Sequence, residues 1–349
     1  MKISKYISSA LMVAALGTTF TACDDWTEPE HVDLNYGTIV DADSEAYVKY
    51  LADLREYRSR NHKKVYTWFG NLESAFGSQG HRISAIPDSV DIIVLENPQS
   101  VTNQMIQEMY EARTDKGQQF SYCIDLDQII ADYTSVCEEM AAKRIAYTEA
   151  NGEDAEIPAE LQDPNRHSFI AEETGNMLQH FDNVGFDCLM AGFKGQANNY
   201  MSDDEITAYK EEMNLFLGII YDWHQRHTDV AVDILGRPQY IDHALLGEAR
   251  MVFLSESLDA TNTSMFSIAL TAAGNAVPES KIGVVASIPF EKLGVFSTGE
   301  YAVIGMGRWA AGQKIGAVGT THTAEDYFLT NGGYTTVRDL IQLVNPSAK

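Results

Sequence analysis

The stretch Gly185-Phe186-Asp187-Cys188-Leu189-Met190-Ala191-Gly192-Phe193-Lys194 reads as one buried β-strand, apolar at most positions from Phe186 to Phe193, with a single acid near its start. Shortly after it, Ser202-Asp203-Asp204-Glu205 has the form of a capping box. Ile206, Tyr209, Met213, Phe216, Ile220 and Trp223 then recur on one helical face. A buried strand followed by a capped amphipathic helix is one βα unit, and the same alternation continues on both sides of it.

Working outward, the strands are expected at residues 64–71, 91–96, 120–125, 185–193, 229–235, 250–255, 282–288 and 315–320. Runs such as Ile92-Ile93-Val94-Leu95 and Val284-Val285-Ala286 are apolar at successive positions, which is the pattern of strands covered on both faces. Helices are expected over 101–114, 126–148, 166–180, 263–273, 301–311 and 335–343, besides the one that begins at Ser202. The turn-rich segment 151–158 is too polar for a core and reads as an exposed loop. No internal repeat or linker interrupts the series. The expected fold is therefore α/β, a (β/α)8 TIM barrel over residues 35–349, with the deciding strand fourth of eight.

The N-terminus carries Lys2 and Lys5, an apolar stretch from Ile7 to Leu16, and then Phe20-Thr21-Ala22-Cys23. This is the pattern of a bacterial lipoprotein signal over residues 1–22, with Cys23 as the lipidated residue; the apolar run is too short to span a bilayer. Residues 23–34, with Asp24, Asp25, Glu28 and Glu30, form an acidic tether. The chain has 25 basic and 50 acidic residues, a formal charge of −25. Cleavage before Cys23 removes two lysines and no acid, leaving 23 basic against 50 acidic residues and a charge of −27. Such a surface repels phosphate backbones, which excludes nucleic acid as the expected partner and favours a neutral ligand. Past Cys23, three cysteines remain (Cys123, Cys137 and Cys188), an odd number that excludes a fully paired disulfide framework.

The fourth strand resembles the signature strand of glycoside hydrolase family 18, the chitinases and endo-β-N-acetylglucosaminidases, written G-[FILV]-D-G-[ILV]-D-[ILV]-D-[YFW]-E. Gly185, Phe186, Asp187, Leu189, Ala191 and Phe193 match the glycine, apolar, acidic and aromatic positions. Met190 and Gly192 stand where two aspartates belong, and Lys194 stands where the catalytic glutamate belongs. Val65-Tyr66-Thr67-Trp68-Phe69-Gly70-Asn71, Asp326-Tyr327 and the closing Ile341-Gln342-Leu343-Val344-Asn345-Pro346 are similar to a lipoprotein subgroup of that family. The resemblance implies substrate-assisted hydrolysis, in which the sugar's acetamido oxygen attacks while the glutamate protonates the leaving oxygen. An ammonium with an ordinary pKa of about 10.4 is a poor proton donor at neutral pH, glycine supplies no group, and methionine supplies apolar filling. The catalytic positions are thus degenerate, and the retained Asp187 reads as a structural acid.

Ligand residues are expected at the C-terminal ends of the strands: Trp68 as a stacking face, Asn71, Glu96, Asn97 and Asp125 as hydroxyl partners, and Lys194, Gln196, Asn198, Asn199 and Tyr200 as a polar loop after the fourth strand. Arg237, Glu256, His322, Asp326 and Tyr327 are further candidates at later strand ends. No metal or cofactor is expected: His224 and His227 are spaced i, i+3 with no nearby acid ligand. The expected function is non-catalytic glycan binding by a lipid-anchored outer-membrane protein, at the cell surface or periplasmic face. Its glycans would be N-acetylglucosamine-containing or N-glycan-like. The resemblance implies work beside an outer-membrane glycan transporter. Two other readings stay open: an active hydrolase with a relocated carboxylate among Glu96, Asp125, Glu256 and Asp326, and a structural part of a transporter complex.

Overall fold

Eight parallel strands close into a barrel in strict sequence order in the computed structural model, which describes residues 44–71, 77–195, 201–329 and 333–346. The expected signal, the tether, Cys23, Gln196, Asn198, Asn199 and Tyr200 lie outside the described residues. The chain divides into two units, Met1–Tyr50 and Leu51–Lys349, and all eight strands belong to the second. Helix α1 (Glu45–Ser59) has residues in both.

The strands are β1 (Lys64–Phe69), β2 (Ile92–Leu95), β3 (Gln119–Asp125), β4 (Cys188–Gly192), β5 (Ala231–Gly236), β6 (Val252–Leu254), β7 (Ile282–Ser287) and β8 (Ala317–Thr321). The helices that follow α1 are α2 (Asn103–Glu111), α3 (Leu126–Asn151), α4 (Arg166–Val184), α5 (Asp203–His224), α6 (His243–Glu248), α7 (Ser264–Ala273), α8 (Ala302–Ala311), α9 (Thr323–Leu329) and α10 (Thr335–Val344). Each of the eight expected strands is present. The fourth is shorter than its sequence pattern because Gly185, with φ of 78°, ends α4 in a left-handed turn, its N–H reaching the Phe181 carbonyl. Helix α5 opens on the expected capping box, with Ser202 and Glu205 bonded reciprocally.

Alternate residues of each strand point to opposite faces, which sorts the core into two layers. Tyr66, Trp68, Val94, Cys123, Cys188, Met190 and Phe253 fill the barrel interior. Val65, Phe69, Ile93, Phe120, Leu189 and Ile234 pack outward beneath the helices. Burial on both sides is the reason the strands read as continuous apolar runs. The interior is a packed core: Tyr66 and Trp68 meet Phe253 edge-on, with ring centroids 4.6 and 5.2 Å apart. Glycines on β7 and β8 give these rings room. A Cβ on Gly283 would stand 2.4 Å from Phe253, and one on Gly319 would stand 2.6 Å from Trp68.

At the N-terminal end of the strands, each buried or half-buried acid meets a cation. Asp187 accepts from Arg113 Nε at 2.7 and 2.9 Å and from the Phe120 N–H at 2.8 Å. Asp233 is paired with Arg250 and accepts from the Tyr66 hydroxyl. Asp91 accepts from the Val65 N–H and faces His62 and Lys64. Burial works against the Asp91 charge, but the His62 bond and the Lys64 charge outweigh it, and its pKa lies below the ordinary value.

Candidate active site at the barrel mouth

The two-residue alternation that places Trp68, Val94, Cys123 and Met190 inside the barrel places Gly70, Glu96, Asp125 and Gly192 one layer higher, at its C-terminal mouth. Asp125 is the direct register partner of Gly192. A Cβ on Gly192 would stand 3.9 Å from Asp125 Oδ1, and one on Gly70 would stand 3.2 Å from Glu96 Oε2. The side-chain space that glycine leaves on β4 therefore borders a carboxylate supplied by β3.

Among the described residues these mouth acids have no cationic partner like those at the other end. Glu96 exposes part of its surface, yet the protein crowds its carboxyl; this desolvation, with the Asp125 charge added, pushes its pKa up to about 7. Burial and the Asp127 charge raise Asp125 to about 6, against the pull of the Asp127 and Gln128 N–H groups. Glu96 and Asp125 line a cavity of about 160 Å³ with Cys123, Asp132, Glu173 and Met177.

The exit of β4 is tied down. Asp127, in the first turn of α3, accepts from the backbone N–H of Lys194 at 2.6 Å and of Gly195 at 3.0 Å. Gly195 has φ of 61° and passes so close to Tyr209 that a Cβ would stand 2.6 Å from the ring. Lys194 Nζ reaches Asp259 Oδ1 at 2.7 Å, an ion pair with both side chains part-exposed. Met190 is fully buried in the barrel interior.

The structure corrects several expectations from strand position. Trp68 is 3 % exposed and wedged between Phe253 and Tyr66, which leaves no free face for a sugar. Asn71 uses both ends of its amide on the Asn97 backbone, at 2.7 and 2.9 Å, and ties β1 to the exit of β2. Asp326 is fully buried and accepts from the N–H groups of Thr336 and Val337 at the start of α10. Tyr327 packs against Phe328 and Tyr334 beside Gly80. Arg237 is buried over the Tyr209 ring, and Glu256 accepts from Gln239 at 2.8 Å. His224 and His227 meet the backbone carbonyls of Val230 and Trp223.

Across the mouth, the β7 and β8 exits bring the expected candidate His322 against Phe290, which was not expected. Phe290 lies face to face with His322, centroids 4.7 Å apart, and is 37 % exposed; Leu293 beside it is also exposed. Glu291 and His322 both adopt positive φ, near 50°, rare for residues with a side chain and concentrated at binding and catalytic sites. Ser287 Oγ lies 2.9 Å from His322 Nδ1, and burial holds the imidazole pKa below its ordinary value, against the charges of Glu325 and Glu291. The available signal was Phe290 and Leu293, apolar residues within a turn-rich segment directly after a strand.

The sequence model of glycoside hydrolase family 18, BT1044-like, matches residues 27–343. This chain belongs to glycoside hydrolase family 18. Among solved structures, a selenomethionine form of BT1044 with a glutamate-to-glutamine substitution is 16 % identical, covering 87 % of this chain and 95 % of its own, with TM-score 0.58. An endo-β-N-acetylglucosaminidase from Cordyceps militaris is 12 % identical, covering 85 % of this chain and 95 % of its own, with TM-score 0.53. A group II chitinase catalytic domain from Ostrinia furnacalis is 8 % identical, covering 83 % and 98 %, with TM-score 0.52. At these identities the likeness is one of fold. No curated protein matches the chain. Measured against the family-18 signature, the strand keeps its N-terminal acid and has a buried thioether, a glycine and a paired ammonium at the other acid positions.

Proposed function

We propose that this protein captures glycans at the C-terminal mouth of a family-18 barrel and does not hydrolyse them. The observation that carries the reading is the end of β4, where Lys194 stands at the catalytic glutamate position and is held by Asp259 at 2.7 Å. An ammonium in an ion pair neither protonates a leaving oxygen efficiently at neutral pH nor stabilises a positively charged oxazolinium. What remains suits binding: Phe290 and His322 offer an exposed ring face, and Glu96, Asp125 and the amide of Gln128 surround a small polar cavity. The expected ligands are N-acetylglucosamine-containing or N-glycan-like. The Cys23 motif supports a lipid anchor at the outer membrane, on its outer or periplasmic face. The acidic tether supports a place in a glycan-uptake system beside a transporter.

A glycan array probed with purified protein tests the reading. Binding to a defined set of N-acetylglucosamine-containing glycans, weakened in Phe290→Ala, is the expected result. Failure to bind any glycan, with stable co-purification of membrane partners, favours a structural role in a transporter complex.

One observation favours a second reading, an active hydrolase. Asp125 Oδ1 lies 3.9 Å from the Cβ position of Gly192, and Glu96 and Asp125 have pKa values raised to about 7 and about 6. A carboxyl that titrates near neutrality is suited to general acid work. Release of sugar that depends on either residue supports this reading.

A further inference from the structure

The opposite end of the barrel opens into a cavity of about 1000 Å³. Arg60, Lys63, Lys64 and Lys314 line it, and among the described residues no Asp or Glu does, in a chain with twice as many acids as bases. Two of these cations are offset: Arg60 pairs with Glu56 at 2.5 Å, and Lys64 shares Asp91 with His62. The other two lie near Glu279, whose Oε1 accepts from the Lys314 N–H at 3.4 Å. Lys63 Nζ donates to the Gln313 carbonyl at 2.7 Å, and neither Lys63 nor Lys314 forms a side-chain ion pair among the described residues. Burial lowers the Lys63 pKa against the opposing charge of Glu279, so this ammonium is partly stripped of water. A partly desolvated ammonium without an ion pair gains most from a charged oxygen acceptor.

We propose that this cavity binds an oligosaccharide bearing sulfate or phosphate groups, through Lys63 and Lys314, at the end of the barrel opposite the glycan mouth. Size separates the ligand from a lone inorganic anion, since the cavity is at the upper end of small-molecule sites. Its walls combine the ring of Tyr57 and the apolar Met251 with Asn61 and Ser280, a mixture that suits a sugar ring and its hydroxyls. The net charge of −25 opposes anions at long range. Screening over about 8 Å at physiological salt leaves the local lysines in control at contact. The N-terminal face of such barrels ordinarily serves stability, and Arg113, Lys64 and Arg250 serve it through ion pairs with carboxylates; Lys63 and Lys314 form no such pair among the described residues.

The test is isothermal titration of the full chain with a sulfated heparin-derived hexasaccharide, with neutral chitohexaose and inorganic phosphate as separate probes. The sulfated hexasaccharide is expected to bind, undisturbed by saturating chitohexaose and weakening as salt rises. Affinity should fall about tenfold in Lys63→Ala/Lys314→Ala, the equivalent of one charge-assisted contact. Lys314→Glu, which touches no side-chain hydrogen bond, should weaken it at an unchanged melting temperature. Three results each overturn the proposal: absence of hexasaccharide binding, binding indifferent to both variants, and phosphate binding as tightly as the hexasaccharide with the same variant dependence.

Discussion

At the N-terminal end of the barrel Asp91, Asp187 and Asp233 each face a cation; at the C-terminal end Glu96 and Asp125 stand on neighbouring strands, flanked by Gly70 and Gly192. The first set is ion-paired and holds strands to their surroundings. The second set has no cation beside it among the described residues, and its pKa values are pushed up to about 7 and about 6. Strand β4 spans both regimes, with Asp187 below and Gly192 and Lys194 above. In a barrel of this kind the lower end is scaffold and the upper end is where ligands act. Strand β4 thus carries an ion-paired acid where it enters the barrel, and a glycine followed by a paired ammonium where it leaves.

The sharpest way to break this comparison is to remove one acid from each end. Asp233→Ala leaves Arg250 and the Tyr66 hydroxyl without their partner and should cost about 3–5 kcal/mol in urea unfolding. Glu96→Gln should be neutral or stabilising at pH 8, because it deletes a charge the fold disfavours. A severe loss for Glu96→Gln would mean that the mouth acids are scaffold too. Next in size, Gly319→Ala drives a methyl into Trp68 and should cost about 1–3 kcal/mol through overpacking. Phe290→Ala should leave the melting temperature within a degree or two and weaken glycan binding about fivefold, near 1 kcal/mol for a lost ring face.

The carboxyl groups of the two ends also respond oppositely to pH. A carboxyl whose folded pKa is raised contributes stability that is present below its unfolded pKa and lost as pH rises through the folded value. Glu96 and Asp125 should therefore make the protein more stable as pH falls from about 8 to about 5, through their values of about 7 and about 6. Asp91, whose pKa is lowered, contributes stability present above the unfolded carboxylate range and lost in stronger acid. Urea midpoints from pH 8 down to pH 3 should rise and then fall. Glu96→Gln/Asp125→Asn should remove the rise and leave the fall.

The barrel was legible in the sequence because strands covered on both faces leave unbroken apolar runs, and because Ser202 and Glu205 mark where the helix after β4 begins. Helix α6 was not, since His243–Glu248 is too short for a periodic face, and α1 buries only Leu54 among its described residues. At the mouth, the degenerate signature could be read directly. The direction of side chains at strand ends could not. Trp68 and Glu96 both close apolar strands, yet one falls in the packed interior layer and the other a layer higher, a distinction set by the barrel's register. Asp326 reads as a polar rim residue until the chain folds α10 back onto it. Phe290 escaped notice because its exposure depends on a loop with positive φ at Glu291.

The central claim is that the end of β4 binds without cutting, and the direct measurement is product release from N-glycans and chitooligosaccharides by the pure protein, followed by mass spectrometry at pH 5 to 8 beside a binding isotherm for the same glycans. The account predicts saturable binding with no released sugar at any of these pH values. Turnover that disappears in Glu96→Gln or Asp125→Asn, with glycan binding retained, would contradict it and assign the acid to a neighbouring strand.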